Sequence, residues 1–517
     1  MILSDLIERN AAFAPDKCAV HYQRETWTYG FFADRIATLA CALKSQLNIH
    51  CGDRIAISSM NHPDYLTLLY ACARLGAILV PLNWRLAVPE QLFILSDASV
   101  KALFVAHEFD ALCEALAAAG SDAHLVGLNY TPERGVALCE LLTGDSGDGR
   151  DPNVDWRTPL LIVYTAGTTG RPKGAVLAHE ALLWNAVMSQ HMHAMTSDDH
   201  ILTVLPLFHV GGLNVQTTPA LQLGATVTLH PRFSTDDTLR AIAHDRPTLT
   251  VLVPSTIQSL TEDSGWESAD LSSLRAITTG STLVPQGLVD AVQARGVPVL
   301  QVYGATETCP IAIYTRLGGD LSRPGSTGLP GLTCEARLVD DAGQDVPVST
   351  PGEVAVRGPN VLLEYWRNEA ATAEAIRDGW FHTGDIAVRD AEGYFTILDR
   401  KKNMIVSGGE NIYPAEVERV LLEHVAVAEA AVIGVADPRW QEVPMAFVVQ
   451  RSETQVTAEE LRAFLLSQLA RFKVPREFIF VEVLPRNALG KVQHYRLKET
   501  VPLHPRHGQA KPRHGRA

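Results

Sequence analysis

Nine short apolar runs separated by stretches of helical spacing set the strongest limit on how this chain folds. They are ILVPLNW (78–84), ALFVA (102–106), HLVGL (124–128), LLIVYTA (160–166), HILTVLPL (200–207), ATVTLH (225–230), TLTVLVP (248–254), LRAITTG (274–280) and PVLQVYG (298–304). Such runs do not alternate between a wet and a dry face, so they suit strands of parallel sheet covered on both sides. Between them, FFADRIATLACALKSQ (31–46) repeats apolar residues at helical spacing, and RIAISSM (54–60) predicts a strand before a helix at about 63–75. Residues 1 to about 320 therefore read as α/β, a set of layered doubly wound sheets.

The texture changes beyond residue 320. EARLVD, GEVAVRG and YFTILD are shorter strand-like pieces punctuated by PGSTGLPG, DAGQ and DAEG, which predicts a β-rich subdomain over about 321–398. After DRKKN the pattern predicts a helix at 414–424 with Pro414 in its first turn, strands near 427–435 and 443–450, a helix near 457–470 and a strand near 477–483. The expected division is a large N-terminal domain over 1–399, a small mobile α+β domain over 400–503, and a disordered basic tail, HPRHGQAKPRHGRA, over 504–517.

Composition narrows the function classes. The 517 residues exceed one ordinary core, and a net charge of -14 opposes a nucleic-acid partner while leaving room for a locally basic nucleotide pocket. The eight cysteines form no CxxC pair, which argues against a thiolate metal site and a disulfide framework and favours a cytoplasmic location. The N-terminus has acidic and basic residues within its first turns, and no window reaches the roughly 20 apolar residues of a membrane span, so integral membrane association is not expected. A monomer or homodimer is expected.

One loop stands apart. YTAGTTGRPKGA (164–175) follows an apolar strand with three glycines, hydroxyl side chains and a lysine. Glycine lets the backbone approach a ligand, and successive amides in such a turn make an anion-binding concavity, so the loop suits phosphate. Thr165, Thr168, Thr169, Gly170 and Lys173 are the candidate contacts. The spacing excludes a Walker A loop: counted from Gly167, the second glycine would fall at Pro172, and Gly174 follows the lysine. On composition alone the loop could equally be a plain strand-to-helix turn.

Four further motifs follow in order: YGATET (303–308), HTGD (382–385), DRKKNMIVSGGENIYPAEVE (399–418) and PRNALGKV (485–492). With them the chain resembles the adenylate-forming (AMP-binding) superfamily, in its acyl- and aryl-CoA synthetase branch, from about residue 10 to 500. The resemblance implies an acid–CoA ligase: a carboxylic acid and ATP give an acyl adenylate and pyrophosphate, and coenzyme A then displaces AMP. It further implies that Tyr303 lies against adenine, Thr306 contacts the α-phosphate, Glu307 ligates Mg²⁺, and Asp385 accepts the ribose hydroxyls with help from Arg400. Lys491 would bridge carboxylate, α-phosphate and ribose during adenylation, although alone it would read as an exposed charge. Lys402 matches the hinge about which the small domain turns, and Gly408 and Gly409 would line the pantetheine tunnel; two adjacent glycines also suit a plain hairpin.

Trp440, with Phe472, Arg476 and Arg85, resembles positions that meet the CoA nucleotide. His209 stands in PLFHVGG where amino-acid adenylation domains carry an aspartate for the substrate ammonium, which disfavours an amino acid. His209, Val210, Gly211, Trp184, Thr256, Gly280 and Ala305 are the expected acid pocket. Their apolar character implies a monocarboxylic acid, medium-chain or aromatic. A stand-alone ligase loading a carrier-protein phosphopantetheine is the competing expectation.

Overall fold

The computed structural model describes residues 2–143, 147–165, 172–281, 284–407, 410–437, 439–451, 454–486 and 492–501. Two compact units divide the chain, Met1–Leu398 and Asp399–Ala517.

The apolar runs of the first unit become strands. Among the described residues, one sheet has eight strands in the order Glu364–Tyr365, Lys173–Ala178, Pro159–Thr165, Ile78–Pro81, Arg54–Ser58, Ala102–Val105, His124–Gly127 and Val136–Ala137. A second has nine, in the order Leu329–Pro330, Ile313–Tyr314, Val299–Tyr303, Ala276–Gly280, Leu249–Val251, His200–Thr203, Thr226–Leu229, Cys18–Tyr22 and Glu25–Thr28. Their centres are parallel, as continuous apolar runs require. Their margins are not: Pro159–Thr165 pairs antiparallel with Lys173–Ala178, and Val299–Tyr303 antiparallel with Ile313–Tyr314. A short loop suffices to join antiparallel neighbours, so both chemistry-bearing motifs of the large unit sit where a parallel sheet turns back on itself.

The helix Pro63–Leu75 shows how the interior is filled. Every one of its residues is buried, including Asp64, whose carboxylate takes two hydrogen bonds from Arg35 at 2.6 and 2.9 Å. Pro63 supplies the first-turn φ, and the helix ends at Gly76, whose φ of +79° is one that a side chain would resist.

The β-rich stretch forms its own sheet from Glu335–Val339, Gly352–Arg357, Trp380–Arg389, Ile376–Arg377 and Phe395–Arg400. HTGD, which as a bare sequence reads as a turn, lies inside the ten-residue strand Trp380–Arg389. The register against Gly352–Arg357 shifts there, and Gly384 takes a φ of +70°, so the motif is a local irregularity in a long strand.

The second unit has a core of its own around Ile405, Ile412, Val417, Leu421, Val432, Ala446 and Leu461. The helix Pro414–Leu422 and the strands Val427–Asp437, Gln441–Gln450 and Glu477–Phe480 agree with the sequence pattern, while the helix Ala458–Leu466 ends four residues early. No helix among the described residues is long and apolar enough to cross a membrane.

Candidate active site

Thr165 and Lys173 close the glycine-rich loop from its two sides. They are register partners in the antiparallel pair, and the Thr165 hydroxyl donates to the Lys173 carbonyl at 3.4 Å. Thr168, Thr169 and Gly170 lie outside the described residues. The Lys173 ammonium sits 5.4 Å from the centre of the Tyr365 ring, and the Tyr365 hydroxyl donates to Glu307 Oε1 at 2.8 Å. Lys173 and Glu307 come from different sheets, and a tyrosine the sequence did not single out joins them.

Glu307 and Thr306 occupy the 3-10 turn Thr306–Thr308 directly after the strand Val299–Tyr303. The turn is tight because Gly304 precedes it: a Cβ at that position would lie 1.6 Å from the Pro310 carbonyl oxygen. Fully buried Asn360 donates to the carbonyls of Thr308 and Ile311 at 2.9 and 2.8 Å, and the Leu362 amide donates to the Glu307 carbonyl at 2.8 Å. Asn185 accepts from the Ile311 amide at 3.1 Å. Buried amides make up the frame around the acidic side chain, and in the sequence such residues read only as unassigned polar positions.

Tyr303 and Asp385 also meet. The phenol donates to Asp385 Oδ2 at 2.8 Å, and Asp385 is only 5% exposed, with its own amide donating to Thr383 Oγ1 at 3.1 Å. A carboxylate has two accepting oxygens, and the phenol engages one of them.

Around His209 the geometry is local. Its Nδ1 accepts from the Gly211 amide at 3.0 Å, capping the short helix Val210–Gly212 and placing the imidazole proton of the neutral ring on Nε2. Phe208 packs edge-on to Trp84, with ring centres 6.2 Å apart, and the Arg85 guanidinium lies 4.9 Å from the Trp84 ring centre. Gly280 is the register partner of Val302, next to Tyr303, and a Cβ there would meet the Val302 carbonyl at 2.2 Å. Ala305 immediately precedes the Glu307 turn, and Thr256 donates to the Val253 carbonyl at 2.8 Å in the first turn of Pro254–Thr261. Trp184 is half-exposed on the helix His179–His193, and its carbonyl accepts from Thr333 at 3.4 Å.

In the second unit, Arg400 ends a strand and Lys402 sits exposed in the 3-10 turn Lys401–Asn403. Neighbouring Asp399 accepts from the Ala415 amide at 2.8 Å and from Asn403 at 3.1 Å, and burial pushes its carboxyl pKa up. Gly408, Gly409 and Lys491 lie outside the described residues; the strands Ile405–Ser407 and Glu410–Ile412 on either side of the glycines pair antiparallel. Trp440 and Arg476 share one anchor. The Trp440 amide donates to Asp437 Oδ1 at 2.9 Å and Arg476 to Oδ2 at 2.8 Å, while the Arg439 guanidinium lies 4.8 Å from the Trp440 ring centre. Phe472 is exposed nearby in sequence, in the turn Arg471–Lys473.

No cluster of three or more His, Cys, Asp or Glu that could hold a metal occurs among the described residues. Glu307 suits a different arrangement. One of its oxygens accepts from Tyr365, and a single carboxylate would be enough to hold a magnesium ion whose other ligands came from phosphate and water.

Comparison with known proteins agrees over nearly the whole chain. Residues 7–366 match the AMP-binding enzyme family and residues 416–491 the AMP-binding enzyme C-terminal domain. The indoleacetate–CoA ligase of Aromatoleum aromaticum is 48% identical over 503 residues, covering 97% of this chain and 98% of that one. The feruloyl-CoA synthase of an Amycolatopsis species is 40% identical, covering 94% and 96%. The o-succinylbenzoate CoA synthetase from Bacillus subtilis, solved with its acyl-adenylate intermediate, superposes with a TM-score of 0.85 at 33% identity over 95% of this chain and 97% of that one.

Proposed function

This chain belongs to the AMP-binding enzyme family and is an acid–thiol ligase, and from that premise we propose that its substrate is a monocarboxylic acid with an aromatic, apolar body. Two relatives, named for indoleacetate and ferulate, support the aromatic choice. So does the absence of a side chain at Gly211, where a Cβ would lie 3.0 Å from the His209 ring. The observation that carries the nucleotide half of the reading is the meeting of Lys173 with Glu307 through Tyr365, and of Tyr303 with Asp385, in one unit.

In the first half-reaction a carboxylate oxygen bonds to the α-phosphorus as the bond to the bridging oxygen breaks, and pyrophosphate leaves. Like charges must approach, and a unit charge about 4 Å away at an effective dielectric near 20 contributes roughly 4 kcal/mol, so each placed cation matters. We assign Lys173, with Thr165, Thr168, Thr169 and Gly170, to the β- and γ-phosphates, and Thr306 to the α-phosphate. Tyr303 is assigned to adenine, Asp385 and Arg400 to the ribose, and Lys491 to the bridging role. Mg²⁺, held by Glu307, would supply charge neutralisation on the phosphates. His209 Nε2–H, with Val210, Gly211, Trp184, Thr256, Gly280 and Ala305, is assigned to the acid.

In the second half-reaction the coenzyme A sulfur bonds to the acyl carbon, the carbon–oxygen bond to AMP breaks, and the thiol proton passes to solvent. The reading gives Trp440, Phe472, Arg476 and Arg85 to the CoA nucleotide, Gly408 and Gly409 to the pantetheine, and Lys402 to the hinge. Eight unpaired cysteines support a cytoplasmic setting. The test is pyrophosphate release across aromatic and aliphatic acids of graded size, with and without coenzyme A. Highest kcat/KM is expected for an arylacetic or arylpropenoic acid, and thioester only when coenzyme A is present. Preference for a medium-chain aliphatic acid would overturn the substrate assignment.

A further inference from the structure

A strap over residues 358–366 runs between the two halves of the phosphate site. At one end Asn360 and Leu362 take the carbonyls of the Thr306–Ile311 turn, at 2.9, 2.8 and 2.8 Å. At the other, Leu363 and Trp366 donate to the carbonyls of Val176 and Gly174, at 2.8 and 2.7 Å, so that Tyr365 is the register partner of Ala175 beside the glycine-rich loop. Tyr365 is buried at the crossing point. Its hydroxyl is given to Glu307 and its ring face to Lys173.

This combination exceeds what packing asks of a tyrosine. A buried phenol needs an acceptor, and many carbonyls could serve. Here the acceptor is a carboxylate, and the bond engages one of its two oxygens. The ring face attracts the ammonium and restrains a four-carbon chain that would otherwise sample many rotamers. Resting on the roles given above to Glu307 and Lys173, we propose that Tyr365 is a positioning residue: it sets the geometry between the metal-ligating carboxylate and the phosphate-binding ammonium, so that both meet the triphosphate of ATP already oriented.

The two functions of the side chain separate by substitution. Tyr365→Phe keeps the ring and loses the hydroxyl. It is expected to raise the magnesium concentration that half-saturates ATP binding by about tenfold, the loss typical of one hydrogen bond to a charged group. Calorimetric binding of ATP without divalent metal should stay within about twofold. Tyr365→Leu removes the ring as well and should weaken metal-free ATP binding by about fivefold. Thioester formation from supplied acyl adenylate, which involves no triphosphate, should be unchanged in both. Adding Tyr365→Phe to Glu307→Gln should cause no further loss. An unaltered magnesium profile in a folded Tyr365→Phe protein overturns the proposal, as does equal loss in both half-reactions, which would mark a merely structural role. If Tyr365→Leu fails to fold, Tyr365→Phe decides alone. If Glu307→Gln itself leaves the magnesium response intact, the assignment of Glu307 fails and the proposal for Tyr365 falls with it, whereas a flat Tyr365→Phe profile beside a responsive Glu307→Gln overturns the proposal for Tyr365 alone.

Discussion

Asp385 is 5% exposed and already receives the Tyr303 phenol, whereas Trp440, in the other unit, is 37% exposed and Lys402 stands at the surface. Glu307 has its carbonyl, its carboxylate and the turn around it tied by Leu362, Tyr365 and Asn360. Glu307, Tyr303 and Asp385 in the large unit are thus held by other side chains and backbone groups before any ligand arrives. In the small unit, Lys402 and Phe472 sit in short 3-10 turns. Fixed donors and acceptors cost no reorganisation when charge develops, while groups that serve two successive reactions must be free to move between them. On the proposed assignments, selection of nucleotide would fall to one unit and sequencing of the half-reactions to the other.

The most severe test removes the lysine assigned to the bridging role. Lys491→Ala should slow adenylate formation by about a thousandfold, the equivalent of roughly 4 kcal/mol at the transition state. Thioester formation from supplied acyl adenylate should change by less than about threefold. Single-turnover assays of the two steps check this, and equal losses would break the division of labour between the units. Next in size, Asp385→Ala removes a fixed acceptor and should raise KM for ATP by about a hundredfold, with a smaller change in KM for the acid. A KM for ATP that stays put would mean that the buried carboxylate serves the fold alone.

The sequence made one side of this contrast more legible than the other. Buried parallel strands announce themselves as continuous apolar runs, so the layered α/β architecture and most elements of the small unit follow from spacing. Antiparallel returns at sheet margins leave no such signature, because a short pair such as Glu364–Tyr365 holds too few residues to show a period. Lys173, Glu307, Tyr303 and Asp385 were recognisable from motif order, and the fold joins them in two groups. Tyr365 and Asn360 were not, since their partners lie 58 and about 50 residues away and the residues themselves read as ordinary core and loop. HTGD lay in the same blind spot: a glycine within a strand resembles a turn until its register partner is known.

Rigidity in the large unit carries a pH signature. His179 and His193 are buried on one helix, and burial lowers both pKa values from 6.5 to about 4. Between those values the unfolded chain binds protons that the folded chain does not, so stability is full above pH 6.5 and falls as pH drops toward 4. By pH 5 each histidine costs about 2 kcal/mol. Thermal unfolding at pH 7, 6 and 5 should show the loss, and the double variant His179→Gln/His193→Gln should flatten the slope whatever its starting stability. A slope unchanged in that variant would place the sensitivity elsewhere and remove this evidence for a stiff nucleotide unit.

The smallest effect falls on the exposed side of the comparison. Trp440 has its backbone fixed by Asp437 while its ring faces solvent under Arg439, so the side chain is presented without being enclosed. Trp440→Ala should therefore leave folding intact and remove only a stacking surface, raising KM for coenzyme A by about tenfold. Pyrophosphate exchange into ATP, which needs no thiol, should stay within about twofold. Replacing coenzyme A by pantetheine sharpens the point: a thiol without the nucleotide has nothing to lose at Trp440, so wild type and variant should converge on it. Should they differ equally with both thiols, Trp440 would be acting on the pantetheine path or on the small unit itself, and the surface role drawn from its exposure would fall.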